Sequence, residues 1–205
     1  MANMSGFTPV RHNTGAPYAQ HVIAYPKLAA DTSIIQIGDL IVHLTTAGGT
    51  VGVQISGMDI EGLMGVSRAA ASTTGLNILG VCVGFIADQT LPLREAVASV
   101  GRMILVETSP DVVYEGREDG VTTSLVATQL GLNVAYSTTA GNTTTKRSGM
   151  EIISATTAPA TTNTLPLRLI GLTKRPGNSF ATSPLKAQFD VMLNTSLYAL
   201  NNTAT

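Results

Sequence analysis

The chain has 205 residues, 44% of them hydrophobic and only 12% charged, with a net charge of −1. Charge at about half the ordinary ~25% leaves no basic face for phosphates and no polybasic membrane anchor, so neither nucleic acid nor a membrane is expected as a partner. So little charge protects a free surface poorly against association. Either neighbouring subunits cover part of it, or a solvated coat of Thr, Ser and Asn does the work.

Residues 1–30 differ from the rest. Phe7-Thr-Pro-Val10-Arg11 and Gly15-Ala-Pro17-Tyr18 mix prolines with isolated aromatics and show no sustained periodicity. The expectation is an extended N-terminal arm that docks Phe7, Val10, Arg11, Tyr18, Val22 and Tyr25 onto a partner, pocket by pocket, the alternative being an arm folded back across its own barrel. Deleting residues 1–26 should then leave a folded core. The N-terminus has no basic stretch leading into an apolar one, so no secretory signal is expected. No apolar run reaches the ~18 residues of a membrane-spanning helix.

Strand signals begin at Ile34–Ile37 and continue through the Gly38-Asp39 turn into Leu40–Leu44. Thr46–Gly49 reads as a turn and Val51–Ile55 as an alternating strand. Ser67–Ser72 has room for one helical turn. Ile78–Ile86 is the most hydrophobic strand, and Gly80 and Gly84 within it suggest a close backbone approach. Leu91–Val100 suits a short helix or a loop equally.

Met103–Arg117 organises the chain. Met103–Val106 is continuously apolar, as in a strand covered on both faces. Ser109-Pro110-Asp111 is turn chemistry, and Val112-Val113-Tyr114 starts a second strand. The reading is two strands meeting at a corner, with Val81, Val83, Leu105, Val113 and Val191 buried. Leu125–Leu130 suggests a helical turn closed by Gly131. Leu132–Tyr136 and Met150–Ile153 are further strands, separated by a Thr-rich loop at Ser137–Lys146. Ala155–Thr164 is a polar linker, Leu167–Leu172 and Phe189–Leu193 are closing strands, and residues 196–205 are a flexible tail.

The fold class is all-β, a barrel or sandwich of short strands with the arm and a second small β-subdomain. Residues 31–107 plus 187–195 are expected to form the main barrel, and 108–186 the inserted subdomain.

The chemistry-bearing residues form no catalytic template. His12, His21 and His43 lie far apart without cysteine neighbours, and no phosphate-binding glycine motif is present. Cys82 sits in an apolar strand, as a small core hydrophobe would. Asp111 and Glu115 are candidate paired carboxylates, and Lys146 with Ser148 is a candidate dyad; a solvated face and chance explain each better. No enzyme, cofactor or metal is expected.

The order of motifs carries a resemblance. Gly38–Val42, Ile78–Val81, Ile104–Val106 and Ser109–Glu115 are followed by Leu130–Asn133, Arg147–Glu151, Pro166–Leu172, Pro176-Gly177-Asn178 and Asp190–Asn194. Over roughly residues 36–195 this resembles the head decoration (cement) proteins of tailed bacteriophages, with a departure at Gly116-Arg117. The resemblance implies a non-enzymatic virion protein, made in the host cytoplasm, on the capsid exterior. It implies clamping of adjacent major capsid protein subunits as a homo-oligomer, trimer or dimer. The alternative is a carbohydrate- or host-surface-binding β module of a virion. That alternative wants exposed aromatics, yet the chain has no Trp and 4% aromatic residues.

Overall fold

Apolar runs become strands throughout the computed structural model, which describes residues 6–44, 54–55, 57–60, 62–70, 78–92, 94–120, 124–154, 159–180 and 187–194. In chain order these are β1 (Thr8–His12), β2 (Val22–Lys27), β3 (Ile35–Gln36), β4 (Leu40–His43), β5 (Gln54–Ile55), β6 (Met58–Asp59), β7 (Val66–Arg68) and β8 (Ile78–Phe85). They continue with β9 (Glu95–Ala96), β10 (Arg102–Glu107), β11 (Val112–Arg117), β12 (Asn133–Val134), β13 (Tyr136–Thr139), β14 (Gly149–Ile152), β15 (Leu167–Leu172) and β16 (Gln188–Leu193). The fold is all-β, and all the ladders between these strands are antiparallel.

Two five-stranded sheets dominate. The first runs β1-β11-β16-β15-β12, the second β2-β10-β8-β4-β7. The edges of the second sheet, β2 and β7, lie against one another, so this sheet curls toward a small barrel. Tyr25, Ile35, Ile41, Val66, Leu79, Cys82, Ile104 and Val106 fill its interior. Its opposite face contributes Leu40, Ile78 and Val81 to a second core. That core is completed by Val112, Tyr114, Leu167, Leu169, Phe189 and Val191 of the first sheet. β8 is therefore buried on both faces, which is why its sequence is a continuous run and not an alternation. At Gly80 the approach is so close that a Cβ would collide with the backbone carbonyl of Glu107.

The corner at Met103–Arg117 is the hinge between layers. β10 ends the barrel sheet, residues 108–111 turn, and β11 enters the first sheet. Val81, Val113 and Val191 are buried as expected, whereas Val83 and Leu105 are only half-buried. Ile104 and Val106 point into the barrel, so Leu105 faces the other way and packs over Gly84, 3.5 Å from where a Cβ there would stand. Leu105→Ala should thus cost about 1 kcal/mol. The corresponding change at Ile104 should cost about 2–5 kcal/mol. Urea unfolding of the two variants checks the assignment of faces.

Several expectations are corrected. Residues 6–27 are not a projecting arm: β1 pairs with β11, and β2 pairs along its length with β10. Prolines at edge positions are compatible with both ladders, and that is how Pro9 and Pro26 sit in strands. β16 pairs with β11 and β15, so residues 187–194 belong with 108–180 and not with the barrel. The sheets also share one core, so the two expected units are layers of one body. Within Ser67–Ser72, the described residues begin as β7, and Leu91–Val100 holds β9 where a helix or loop was expected. The Thr-rich loop starts later, after β13. The helical turn is found as a 3-10 turn at Ala127–Gln129, with Gly131 following at a φ of 85°. The turn at Thr46–Gly49, most of Val51–Ile55 and the tail 196–205 lie outside the described residues.

Candidate functional site

The six residues expected to dock a partner are engaged within the chain. Phe7 is buried in the core between the sheets, and its ring occupies the space over Gly116, where a Cβ would stand 2.6 Å from Phe7 Cε1. Val10 is half-buried in β1, and Arg11 Nη2 meets Asp190 Oδ2 at 2.8 Å. Tyr18 donates its hydroxyl to Glu107 Oε2 at 2.6 Å. Val22 stands opposite Glu107 in the ladder and is half-buried. Tyr25 lies in the barrel interior, edge-on to His43 at 5.5 Å between ring centroids. Val10 and Arg11 lie in the first sheet, Val22 and Tyr25 in the second, Phe7 in the core between them and Tyr18 on the connection from β1 to β2, so the six do not form one surface.

The outward face of the first sheet carries an organised set of charges. Val112 and Tyr114 point into the core, so Glu115 and Arg117 point away from it. Glu115 stands opposite Asp190 in the ladder, and Asp111 is engaged with His12, so the candidate pair of Asp111 with Glu115 does not form. Like charges directly opposite in a ladder destabilise it. Here cations offset the repulsion: Arg175 pairs with Glu115, and Arg11 pairs with Asp190, which also accepts a 2.7 Å bond from Thr173 Oγ1. Arg117 reaches Glu151 of the β13–β14 hairpin at 2.5 Å.

Burial pushes Glu115 above the ordinary carboxylate range; Arg175 pulls it back and Asp190 adds to the rise. A raised folded-state pKa means the folded protein binds the proton more readily than the unfolded chain. This contribution to stability is therefore present at low pH and is lost as pH rises from the unfolded value through the raised one. Relative to Glu115→Gln, the wild type should gain stability between pH 7 and pH 5. Urea midpoints at the two pH values test this, and an unchanged difference would show that Arg175 fully compensates burial.

Beyond this cluster, at the end where β15 starts and β16 finishes, the same face is crossed by a trough of about 450 Å3. Asn13 and Gly131 stand at its sides, and Arg168, Ile170, Met192 and Asn194 line it. Arg168 and Met192 are cross-strand neighbours and alternate with core residues, so both face outward. Arg168 is exposed and, among the described residues, has neither an ion pair nor a hydrogen bond.

The other chemistry-bearing residues are structural. Lys146 Nζ pairs with Glu95 at 2.8 Å, and the buried Ser148 accepts the Met150 amide at 3.0 Å, so the two do not form a dyad. Asp111 binds His12 Nδ1 at 3.1 Å. Cys82 is buried and free, and burial raises its thiol pKa. His43 is a strand-face residue whose pKa is lowered by burial. Among the described residues no group of three or more His, Cys, Asp and Glu is placed to hold a metal.

Sequence reasoning missed the buried polar residues. Lys27 donates to the carbonyls of Asp31 and Val97 at 2.8 and 3.2 Å, and burial lowers its pKa. Asp39 lies beneath Arg68, 3.1 Å from its Nε, and accepts the Gln36 amide at 2.7 Å. Glu118 receives the amides of Leu125 and Ala187 at 3.0 and 3.1 Å. Arg102 points its guanidinium at the carbonyls of Pro92 and Glu95. The available signal was position: Asp39, Arg102 and Glu107 each border an apolar run, where a charge ends the run and can bind neighbouring backbone. In comparisons with known proteins, no family model matches the chain, and no curated protein or solved structure is significantly similar to it.

Proposed function

We propose that the protein is a structural cement that binds the outside of a phage head and clamps adjacent major capsid subunits, acting as a homo-oligomer. The observation that carries this reading is the disposition of charge. The chain has few charged residues, and many of them serve its own fold: Arg11, Arg68, Arg117, Lys146 and Arg175 pair with carboxylates. Lys27 and Arg102 bind backbone carbonyls. What remains is a largely neutral all-β surface, suited to burial against other subunits without a heavy desolvation cost. Six of the motifs behind the resemblance fall on the strands β4, β8, β10, β11, β15 and β16, and Arg147–Glu151 overlaps β14. An oligomer bridging several capsomers gains avidity from individually modest contacts.

Co-sedimentation of the purified protein with undecorated heads tests this proposal. Saturable binding at micromolar protein is expected, with an oligomer in analytical ultracentrifugation. A protein that stays in the supernatant, or a defined sugar hit on a glycan array, would favour the carbohydrate-binding alternative.

A further inference from the structure

The trough on the outward face of the first sheet differs from its surroundings in one respect. On that face Arg11, Arg117 and Arg175 are each held by a carboxylate, whereas Arg168 is exposed and, among the described residues, uncommitted. Among the described residues no carboxylate lines the trough. Asn13, at the trough's rim, donates its backbone amide to the Asp111 carbonyl, and the Asp111 carboxylate is occupied by His12. The trough thus offers one available guanidinium beside two apolar side chains, Ile170 and Met192, with the amides of Asn13 and Asn194 at hand. A guanidinium recognises a carboxylate by two parallel hydrogen bonds, a planar geometry that the ammonium of lysine does not offer. Apolar neighbours strengthen that pairing by displacing water. At about 450 Å3 the trough is within the size range of ligand clefts.

We infer that this trough docks an extended, acidic segment of the partner protein, with a carboxylate on Arg168 and an apolar side chain over Ile170 and Met192. Resting on the cement reading, the segment belongs to a major capsid subunit, and this face of the first sheet is the one turned toward the head.

Two measurements on the full chain separate this inference from the reading beneath it. The first compares head binding by wild type, Arg168→Glu and Lys174→Glu. Lys174 is exposed beyond the other end of β15, so its variant makes the same charge change away from the trough. Arg168→Glu should weaken co-sedimentation at least tenfold, and Lys174→Glu should leave it unchanged. The second titrates 15N-labelled protein with the probe acetyl-Leu-Asp-Leu-Asp-Leu-amide. Amide shifts should cluster at residues 131, 168–170 and 192–194, shrink as salt is raised, and vanish in Arg168→Glu. If wild type and Arg168→Glu bind heads equally, the trough assignment is overturned while the cement reading stands. If wild type ignores heads, the cement reading falls, and the peptide titration alone decides the trough: shifts elsewhere, or none, overturn it.

Discussion

Glu107→Ala is expected to lower the unfolding free energy by about 3–5 kcal/mol. Glu107 is the last residue of β10 and is fully buried. Its Oε2 accepts the Tyr18 hydroxyl at 2.6 Å and the His21 amide at 2.9 Å, and its Oε1 accepts the Ser109 amide at 3.0 Å. These donors lie on two different connections. Residues 13–21 carry the chain from β1 in the first sheet to β2 in the second, and residues 108–111 carry it from β10 back to β11. One carboxylate therefore ties together both crossings between the layers. Alanine strands its donors at about 1–3 kcal/mol each, with partial relief where water can enter. Glu107→Gln keeps one acceptor and should cost roughly half as much. Tyr18→Phe removes a single bond to the charge and should cost about 1.5–3 kcal/mol. Urea unfolding of the three variants and a double-mutant cycle between positions 18 and 107 check the assignment. A loss below about 1 kcal/mol for Glu107→Ala would mean that the crossings hold without it.

Deletion of residues 1–26 is expected to abolish cooperative folding. The reason is structural: the deleted segment contains β1 and all of β2 but its last residue. Its loss would expose the edges of β11 and β10, one in each sheet, and would remove Phe7 from one core and Tyr25 from the other. Phe7→Ala alone should cost about 3–5 kcal/mol, because a filled space against Gly116 and Ile152 becomes a cavity. That is a large part of the ~5–15 kcal/mol that holds a typical domain together. Calorimetry and the dispersion of amide resonances report the outcome. A truncated protein with a sharp transition near the wild-type temperature would restore the view of residues 1–30 as an independent arm.

The two experiments mark the division between what is local in this chain and what is not. Strand content was legible in the sequence because it depends on side-chain pattern: the apolar runs at Leu40–His43, Ile78–Phe85 and Leu167–Leu172 name their strands almost to the residue. The corner at Ser109-Pro110-Asp111 was legible for the same reason, since proline and turn residues act on their own backbone. Cys82 could be placed in the core from its apolar neighbours alone. The partner of each strand could not be read in this way. Nothing within Thr8–His12 or Gln188–Leu193 states that both flank β11, because ladder pairing is decided by which edges remain open once the other strands are in place. The partners of charged residues depend on the same pairing. Glu115 faces Asp190 through the β11–β16 register, and Glu107 meets Tyr18 across 89 positions of chain. Proline and irregular spacing made residues 6–27 look unfit for a sheet interior, and locally they are. The tertiary structure accommodates them because they are edge strands, whose outer backbone groups need no partner within the sheet. Composition and pattern thus determined an all-β chain with a corner at its centre, while the closing of the sheets decided which residues are buried together and which, like Arg168, remain available.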